Sequence, residues 1–132
     1  LWAQIRRDPS ALPTGEVEMI PAAHFLRFAH RPAGAVPATA RREAITDARF
    51  GEGEIGRYTV SYPSLGRELR IFHGLTFPFE ILGWEEVEPA RDGGEALVTR
   101  AVRTHAMMTD YWNHNGNDNA AYREALGLSP PR

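Results

Sequence analysis

Residues 55–112 read IGRYTVSYPSLGRELRIFHGLTFPFEILGWEEVEPARDGGEALVTRAVRTHAMMTDYW. This stretch consists of three long extended runs that are separated by residues typical of turns. In the first run, Ile55–Tyr62, apolar or aromatic side chains alternate with polar ones, which is typical of a strand buried on one face. The segment that follows, Pro63–Gly66, predicts a turn, because proline fixes φ and glycine permits a positive φ.

The second run extends from Leu69 to Ile81, and its apolar residues share one parity. With continuous alternation, one face of this run would carry Leu69, Ile71, His73, Leu75, Phe77, Phe79 and Ile81. A histidine is therefore expected among apolar neighbours. Gly74 and Pro78 predict a bulge, a bend or an edge inside the run, where the facing of the side chains can switch.

The third run, Leu97–Trp112, follows a hairpin connection predicted at Asp92-Gly93-Gly94. One face of this run would carry Val98, Val102, Ala106, Met108 and Trp112. The opposite face would carry Thr99, Arg103, His105, Thr109 and Tyr111. The second set combines hydroxyl, guanidinium and imidazole groups, and it is the predicted face with the most side chains that could take part in catalysis.

Helices are predicted on both sides of these runs. Leu1–Arg7 fits the end of a helix that Pro9 terminates, and Pro21–Arg31 fits a second helix, with a short strand as the alternative. Thr39 is expected to cap a further helix that continues to about Ala48. A last helix is expected after the loop at residues 113–119, capped by Asp118 or Asn119 and ending at Gly127.

These patterns predict an α+β fold in which short helices precede a curved antiparallel sheet of at least three long strands, cone- or barrel-like, followed by one C-terminal helix. The length of 132 residues predicts a single domain, residues 1–132. Because the chain starts at Leu1 rather than at methionine, we hypothesise that it is the C-terminal part of a longer or processed chain. The sequence leaves the cellular location open.

The composition excludes several chemistries. The chain has no cysteine, which excludes a thiolate nucleophile, a disulfide and a cysteine-ligated metal cluster. All fifteen basic residues are arginine, which excludes a lysine Schiff base and a Walker A phosphate loop. A net charge of −2 without a basic block makes nucleic acid an unexpected partner, and no apolar run has the length of a membrane span.

No metal and no cofactor are expected. The spacings of the five histidines match no tight ligand pair, and His24 and His30 would lie on largely opposed faces of a helix. The asparagine-rich loop at residues 113–119 offers one carboxylate, that of Asp118, whereas calcium loops assemble several. Asparagine also tolerates left-handed backbone and caps helices, which explains the composition of the loop without an ion.

Two sets of residues are candidates for a site. The candidate acid–base residues on adjacent strands are His73, Glu80, His105 and Tyr111. The candidate ligand-binding residues are Arg103, Tyr58, Phe77, Phe79 and Trp84. The structural alternative makes His73 a core histidine with one satisfied nitrogen, Glu80 and Arg103 a surface pair, and His105 a solvated side chain.

Three functions fit these residues. The leading hypothesis is a small-molecule-binding domain with a largely apolar pocket that the sheet lines and in which Arg103 or His105 holds a polar group. The second is a cofactor-independent lyase, isomerase or hydrolase that uses His73 or His105 as a base. The third is an interaction subunit of a larger assembly, as a homo-oligomer or with a partner subunit, because Tyr, Trp and Arg are favoured at interfaces.

Overall fold

The computed structural model describes residues 1–90 and 93–128. The chain divides into two compact units, Leu1–Val102 and Arg103–Arg132. The first unit contains, in chain order, helix α1 (Trp2–Arg7), strand β1 (Gly15–Met19), helix α2 (Ala23–Phe28), and strands β2 (Val36–Thr46), β3 (Glu54–Tyr62), β4 (Arg67–His73), β5 (Ile81–Glu88) and β6 (Leu97–Val102). The second unit contains helix α3 (Ala120–Ala125). Short 3-10 turns lie at Pro9–Ala11, Pro63–Leu65, Tyr111–Asn113 and Asn117–Asn119.

The six strands of the first unit form one antiparallel sheet in the order β1-β2-β3-β4-β5-β6. Each strand therefore pairs with its neighbours in the sequence. The sheet is open, with β1 and β6 as its edges, and does not close into a barrel. The predicted α+β class, the antiparallel sheet, the early helices and the C-terminal helix are confirmed.

One face of the sheet, here called the core face, packs on the N-terminal segments. Its register aligns Tyr58 with Ile71, and Ile71 with Trp84. Ile5 of α1 and Leu12 pack into the same cluster as Tyr58 and Ile71. Burial of each such large apolar side chain stabilises the fold by about 1.5–3 kcal/mol. The face is apolar because β3 and β4 place every second side chain there, and most of these side chains are apolar.

The opposite face, here called the charged face, has a small apolar cluster at one end. Phe50 stacks on Phe72 with ring centroids 3.7 Å apart and an interplanar angle of 12°, and Ile55 completes the cluster. Gly83 of β5 permits this packing, since a Cβ there would lie 2.6 Å from Cδ1 of Phe50 and 2.5 Å from the Ala101 carbonyl oxygen. The β2–β3 connection is thereby anchored on the sheet.

The helix predicted from Thr39 to Ala48 is wrong, because residues 36–46 form the long strand β2. Ala38 and Ala40 are buried on the core face, while Thr39 between them and Arg41 after them are exposed. Alanine, arginine and glutamate favour helix, but this preference is less than about 1 kcal/mol per residue, and the pairing of β2 with both β1 and β3 outweighs it.

The second and third runs are shorter as strands than the alternation predicts. Residues 74–80 form the connection between β4 and β5, which the Gly74 amide closes by donating to the Glu80 carbonyl oxygen at 2.9 Å. Strand β6 ends at Val102, which pairs with Gly83. If β6 continued past Val102, only Leu82 and Ile81 of β5 would remain to pair with it. Asp92 of the predicted hairpin connection lies outside the described residues.

Candidate functional site

The candidate residues of the first unit are distributed over the core face and the β4–β5 connection. His73 and Phe79 line one pocket and Trp84 lines another. Tyr58 lines neither of these two pockets: its side chain is fully buried and its hydroxyl donates to the Pro13 carbonyl oxygen at 2.8 Å. Burial raises the pKa of the Tyr58 hydroxyl. Phe77, at the tip of the connection, is 77% exposed and touches Phe79 edge-on.

The remaining candidates, Arg103, His105 and Tyr111, are exposed side chains of the second unit. Strand β6 ends at Val102, so these three residues are not part of the strand from which their facing toward His73 and Glu80 was predicted. Residues 103–110 form no strand, so the alternation of a strand does not set the facing of their side chains.

The larger pocket on the core face, here called the tryptophan pocket, has a volume of about 480 Å³. The sheet contributes Leu69 and Trp84 to its wall, and the N-terminal segments contribute Trp2 and Ile20. Trp2 is 42% exposed and Ile20 is 63% exposed. The pocket therefore presents apolar surface to solvent that the fold itself does not bury.

A polar group lies at the edge of the tryptophan pocket. The carboxylate of Glu86 accepts a hydrogen bond from Arg67 at 2.8 Å, and His24 lies 3.4 Å from the same oxygen, Oε2. The Arg67 guanidinium also lies over the ring of Phe25, 4.0 Å from its centroid. Arg67 and Glu86 are largely buried, and their pairing fixes the Glu86 carboxylate beside the apolar wall of the pocket.

The smaller pocket, here called the histidine pocket, has a volume of about 240 Å³ and contains His73 in its wall. His73 is 2% exposed, and its Nδ1 lies 2.8 Å from the Gly74 carbonyl oxygen. Because a carbonyl only accepts, Nδ1 carries the proton and the neutral ring presents the lone pair of Nε2. Among the described residues, Nε2 has no hydrogen-bond partner.

Burial lowers the pKa of His73, and the nearby positive charge of Arg42 acts in the same direction, while the bond to Gly74 opposes them. The ring is therefore neutral at physiological pH. A buried acceptor without a donor costs about 1–3 kcal/mol.

Gly56 of β3 holds the ring of His73 in place. The two residues are directly opposite each other in the β3–β4 register. A Cβ on Gly56 would lie 2.2 Å from Cε1 of the ring and 2.5 Å from Nε2. Only a residue without a side chain leaves room for the imidazole at this position, so Gly56 sets the orientation of the pocket wall.

The β4–β5 connection forms the outer wall of the histidine pocket through Leu75 and Phe79. Phe79 has a φ of 47°, in the left-handed region that few non-glycine residues adopt. The Phe79 amide donates to the Thr76 carbonyl oxygen at 2.7 Å, which holds this conformation. Strained backbone of this kind costs about 1–3 kcal/mol and is concentrated at ligand clamps and active sites.

The charged face contains an ion-pair ladder that the sequence analysis missed. One register row across β2 to β6 consists of Arg41, Thr59, Arg70, Glu85 and Arg100. Glu85 is 2% exposed and accepts from Arg100 at 2.6 Å, from Arg70 at 3.2 Å and from Arg49 at 3.3 Å. The signal was present as arginine and glutamate at alternate positions, but only the register aligns them.

The guanidiniums of the ladder have further acidic partners. Asp47 accepts from Arg49 at 2.8 Å, and that bond holds the pKa of Asp47 below its usual value. Burial raises the pKa of Glu68, but hydrogen bonds from Ser61 and Arg70 and the charges of Arg70 and Arg41 together lower it by more. The ladder is thus largely self-neutralised, and its arrangement stabilises the sheet rather than presenting free charge.

In the second unit, His114 connects the turn at Tyr111–Asn113 with the start of α3. Its Nε2 lies 2.9 Å from Oδ1 of Asp110, its Nδ1 lies 3.2 Å from Oδ1 of Asn119, and its ring stacks on Tyr122. A hydrogen bond from Asn113 is the main cause that lowers the pKa of Asp110. These contacts tie the asparagine-rich loop together.

Over residues 1–90 and 93–128, no three or more histidine, aspartate and glutamate side chains are grouped so that they could hold a metal ion. The helices in the same residues are too short or too polar to cross a membrane. No protein-family model matches the chain, and comparisons with curated proteins and with solved structures find no match.

Proposed function

We propose that this protein binds a small, largely apolar molecule in the tryptophan pocket. The observation that carries the proposal is the partly solvent-exposed apolar wall formed by Trp2, Ile20, Leu69 and Trp84 around about 480 Å³. Pockets that hold small ligands have volumes of about 300–1,000 Å³ and are lined mainly by apolar and aromatic side chains with a few polar groups.

The driving force for this binding is burial of the exposed wall. Trp2 and Ile20 retain 42% and 63% exposure, and a ligand that covers them gains about 25 cal/mol for each Å² of apolar surface removed from water. Aromatic walls also favour a flat ring, because offset or edge-on ring contacts contribute about 0.5–1.5 kcal/mol beyond burial.

Glu86 supplies the polar contact that orients the ligand. Arg67 and His24 both approach its Oε2, so Oε1 is the oxygen that we expect a bound donor to use. The ligand class is accordingly an apolar, preferably aromatic molecule with one amine or hydroxyl donor. A charge-assisted bond to a carboxylate contributes about 1.5–3 kcal/mol, enough to select such a molecule over its plain hydrocarbon.

The proposal is tested by calorimetric titration with 1-naphthylmethylamine as the probe. We expect Trp84→Ala to weaken binding about tenfold, because it removes the wall contributed by β5. Glu86→Gln should weaken binding of the amine but not of 1-methylnaphthalene. Trp112→Ala, which removes a 64% exposed tryptophan of the second unit, is the matched control and should bind normally. Equal affinity of the Trp84→Ala and Trp112→Ala proteins would refute the proposal.

A second candidate function, self-association through β6, is favoured by the exposed apolar residues of this edge strand. Leu97 and Val98 are 57% and 48% exposed. The other edge strand, β1, carries exposed Glu16 and Glu18, which discourage pairing with a further strand. If β6 pairs with the β6 of a second copy, light scattering will give a dimer mass, and Val98→Lys will give a monomer mass. A monomer mass for the unaltered protein would contradict this candidate.

A further inference from the structure

All four asparagines of the chain lie in the loop at residues 113–119 of the second unit, and each is followed by a different residue. Asn115 precedes Gly116, whereas histidine, aspartate and alanine follow the other three. The second unit contributes no residue to the tryptophan pocket or to the histidine pocket. An inference about this loop is therefore independent of the function proposed above.

The residue after an asparagine controls one reaction of the asparagine side chain. In this reaction the backbone nitrogen of the following residue attacks the side-chain carbonyl carbon, Cγ. A side chain on the following residue hinders the approach, and glycine, which has no Cβ and the widest choice of backbone conformations, hinders it least. Asn115 is thus the asparagine at which the reaction is favoured, and the other three are internal comparisons.

The structure leaves the reacting groups of this pair accessible. Asn115 and Gly116 are both exposed, and neither belongs to a helix or a strand. Within residues 1–90 and 93–128, the Gly116 amide donates to no acceptor, so no hydrogen bond has to break before its nitrogen approaches Cγ of Asn115. The Asn115 side chain is restrained by one exposed hydrogen bond, from Nδ2 to the Trp112 carbonyl oxygen at 3.0 Å.

We propose that Asn115 is a site of spontaneous deamidation and that the modification opens the turn at Tyr111–Asn113. The Gly116 nitrogen loses its proton to a base in the solvent and forms a bond with Cγ of Asn115. The bond between Cγ and Nδ2 then breaks, and Nδ2 takes up a proton and leaves as ammonia. Water adds to one of the two carbonyl carbons of the resulting succinimide ring and opens it, which gives aspartate or its β-linked isomer at position 115.

The product cannot keep the hydrogen bond that Asn115 makes. A carboxylate only accepts, so it has no N–H for the Trp112 carbonyl oxygen, and the two acceptors repel each other. The adjacent turn is closed by the Asn113 amide, which donates to the Asp110 carbonyl oxygen at 2.8 Å, and by the His114 amide, which donates to the Tyr111 carbonyl oxygen at 3.0 Å. Both amides should therefore become less protected once the side chain at position 115 is charged.

The rate of modification is measured on the unaltered protein. The protein is incubated at mildly alkaline pH and digested with trypsin, which cleaves after arginine and leaves all four asparagines in one peptide, residues 104–123. Fragmentation mass spectrometry then gives the conversion at each position. We expect Asn115 to react at least about tenfold faster than the other three, because it alone precedes glycine. Conversion at Asn115 no faster than at Asn117 overturns the proposal.

The opening of the turn is tested by two variants with the same change in charge. Asn115→Asp reproduces the product with the normal backbone linkage. Asn117→Asp is the matched control, because the Asn117 side chain makes no hydrogen bond to the residues that the structure describes. We expect the Asn113 and His114 amides to exchange hydrogen about two- to tenfold faster in Asn115→Asp and at the unaltered rate in Asn117→Asp. Equal exchange in the two variants overturns the proposed opening.

Discussion

Replacement of Gly56 by alanine is predicted to destabilise the first unit because of one contact. The new methyl group would lie 2.2 Å from Cε1, 2.5 Å from Nε2 and 2.7 Å from Nδ1 of the His73 ring. The ring cannot withdraw freely, because it is 2% exposed and its Nδ1 is bonded to the Gly74 carbonyl oxygen. The strand backbone or the ring must therefore shift.

The magnitude follows from two opposing effects. Overpacking of a filled interior costs about 1–3 kcal/mol. Replacement of glycine by alanine also restricts the unfolded chain, which stabilises the fold by about 0.4–1 kcal/mol where the backbone suits alanine. The expected net loss is about 1–2 kcal/mol in the free energy of unfolding. For a unit of this size, each kcal/mol lowers the melting temperature by about 4–8 °C.

Urea denaturation of Gly56→Ala and of a matched variant, Gly51→Ala, measures this loss. A Cβ on Gly51 would meet Ile55 and Leu82 at the ordinary contact distances of 3.5 Å and 3.7 Å, so this variant should match or slightly exceed the wild-type stability. In a His73→Ala background the ring is absent, and Gly56→Ala should then cost almost nothing.

Two results would refute the reasoning. One is a Gly56→Ala protein as stable as the Gly51→Ala protein. The other is an equal cost of Gly56→Ala with and without the His73 ring, since the double-mutant cycle would then give no coupling between the two residues. A coupling free energy of about 1 kcal/mol or more supports the predicted steric conflict between residue 56 and the His73 ring.

Three further predictions concern stability. Glu85→Gln should lower the free energy of unfolding in urea by about 1.5–3 kcal/mol, because three partly exposed guanidiniums lose the buried carboxylate that they share. Glu88→Gln, at a 44% exposed side chain, should cost at most about 1 kcal/mol, and similar losses in the two variants would contradict the ladder. Burial lowers the pKa of His73 below its ordinary 6.5, so as pH falls the unfolded chain takes up the proton before the folded protein does. The free energy of unfolding should therefore fall as pH falls below about 6.5. In His73→Phe this pH dependence of the free energy of unfolding should be absent. Phe50→Ala should cost about 3–5 kcal/mol by loss of the stacked ring, whereas Phe77→Ala, at a 77% exposed ring, should leave the thermal midpoint unchanged.

The prediction of β3 and of the turn after it succeeded because both depend on local properties. Side chains alternate in Ile55–Tyr62, and Pro63–Gly66 has the proline and the glycine that the turn requires, with a φ of 63° at Gly66. The same alternation predicted that His73 lies among apolar neighbours; the structure buries His73, with Gly56 directly opposite it.

Strand β2 was mistaken for a helix because its composition is typical of helices. Its alanines, arginines and glutamate carry little strand preference of their own. What makes Val36–Thr46 a strand is pairing on both sides, with Gly15–Met19 and with Glu54–Tyr62. Contacts of this kind join separate segments, so they leave no periodic signal in a single one.

The sequence by itself determined the fold class, strand β3 with the turn after it, and the excluded chemistries. Only the tertiary structure decided where β6 ends, that Arg70, Glu85 and Arg100 share one row, and that Trp84 and His73 belong to separate pockets. The physical reason is that alternation is a property of one segment, whereas register and pocket walls arise from the pairing of segments far apart in the chain.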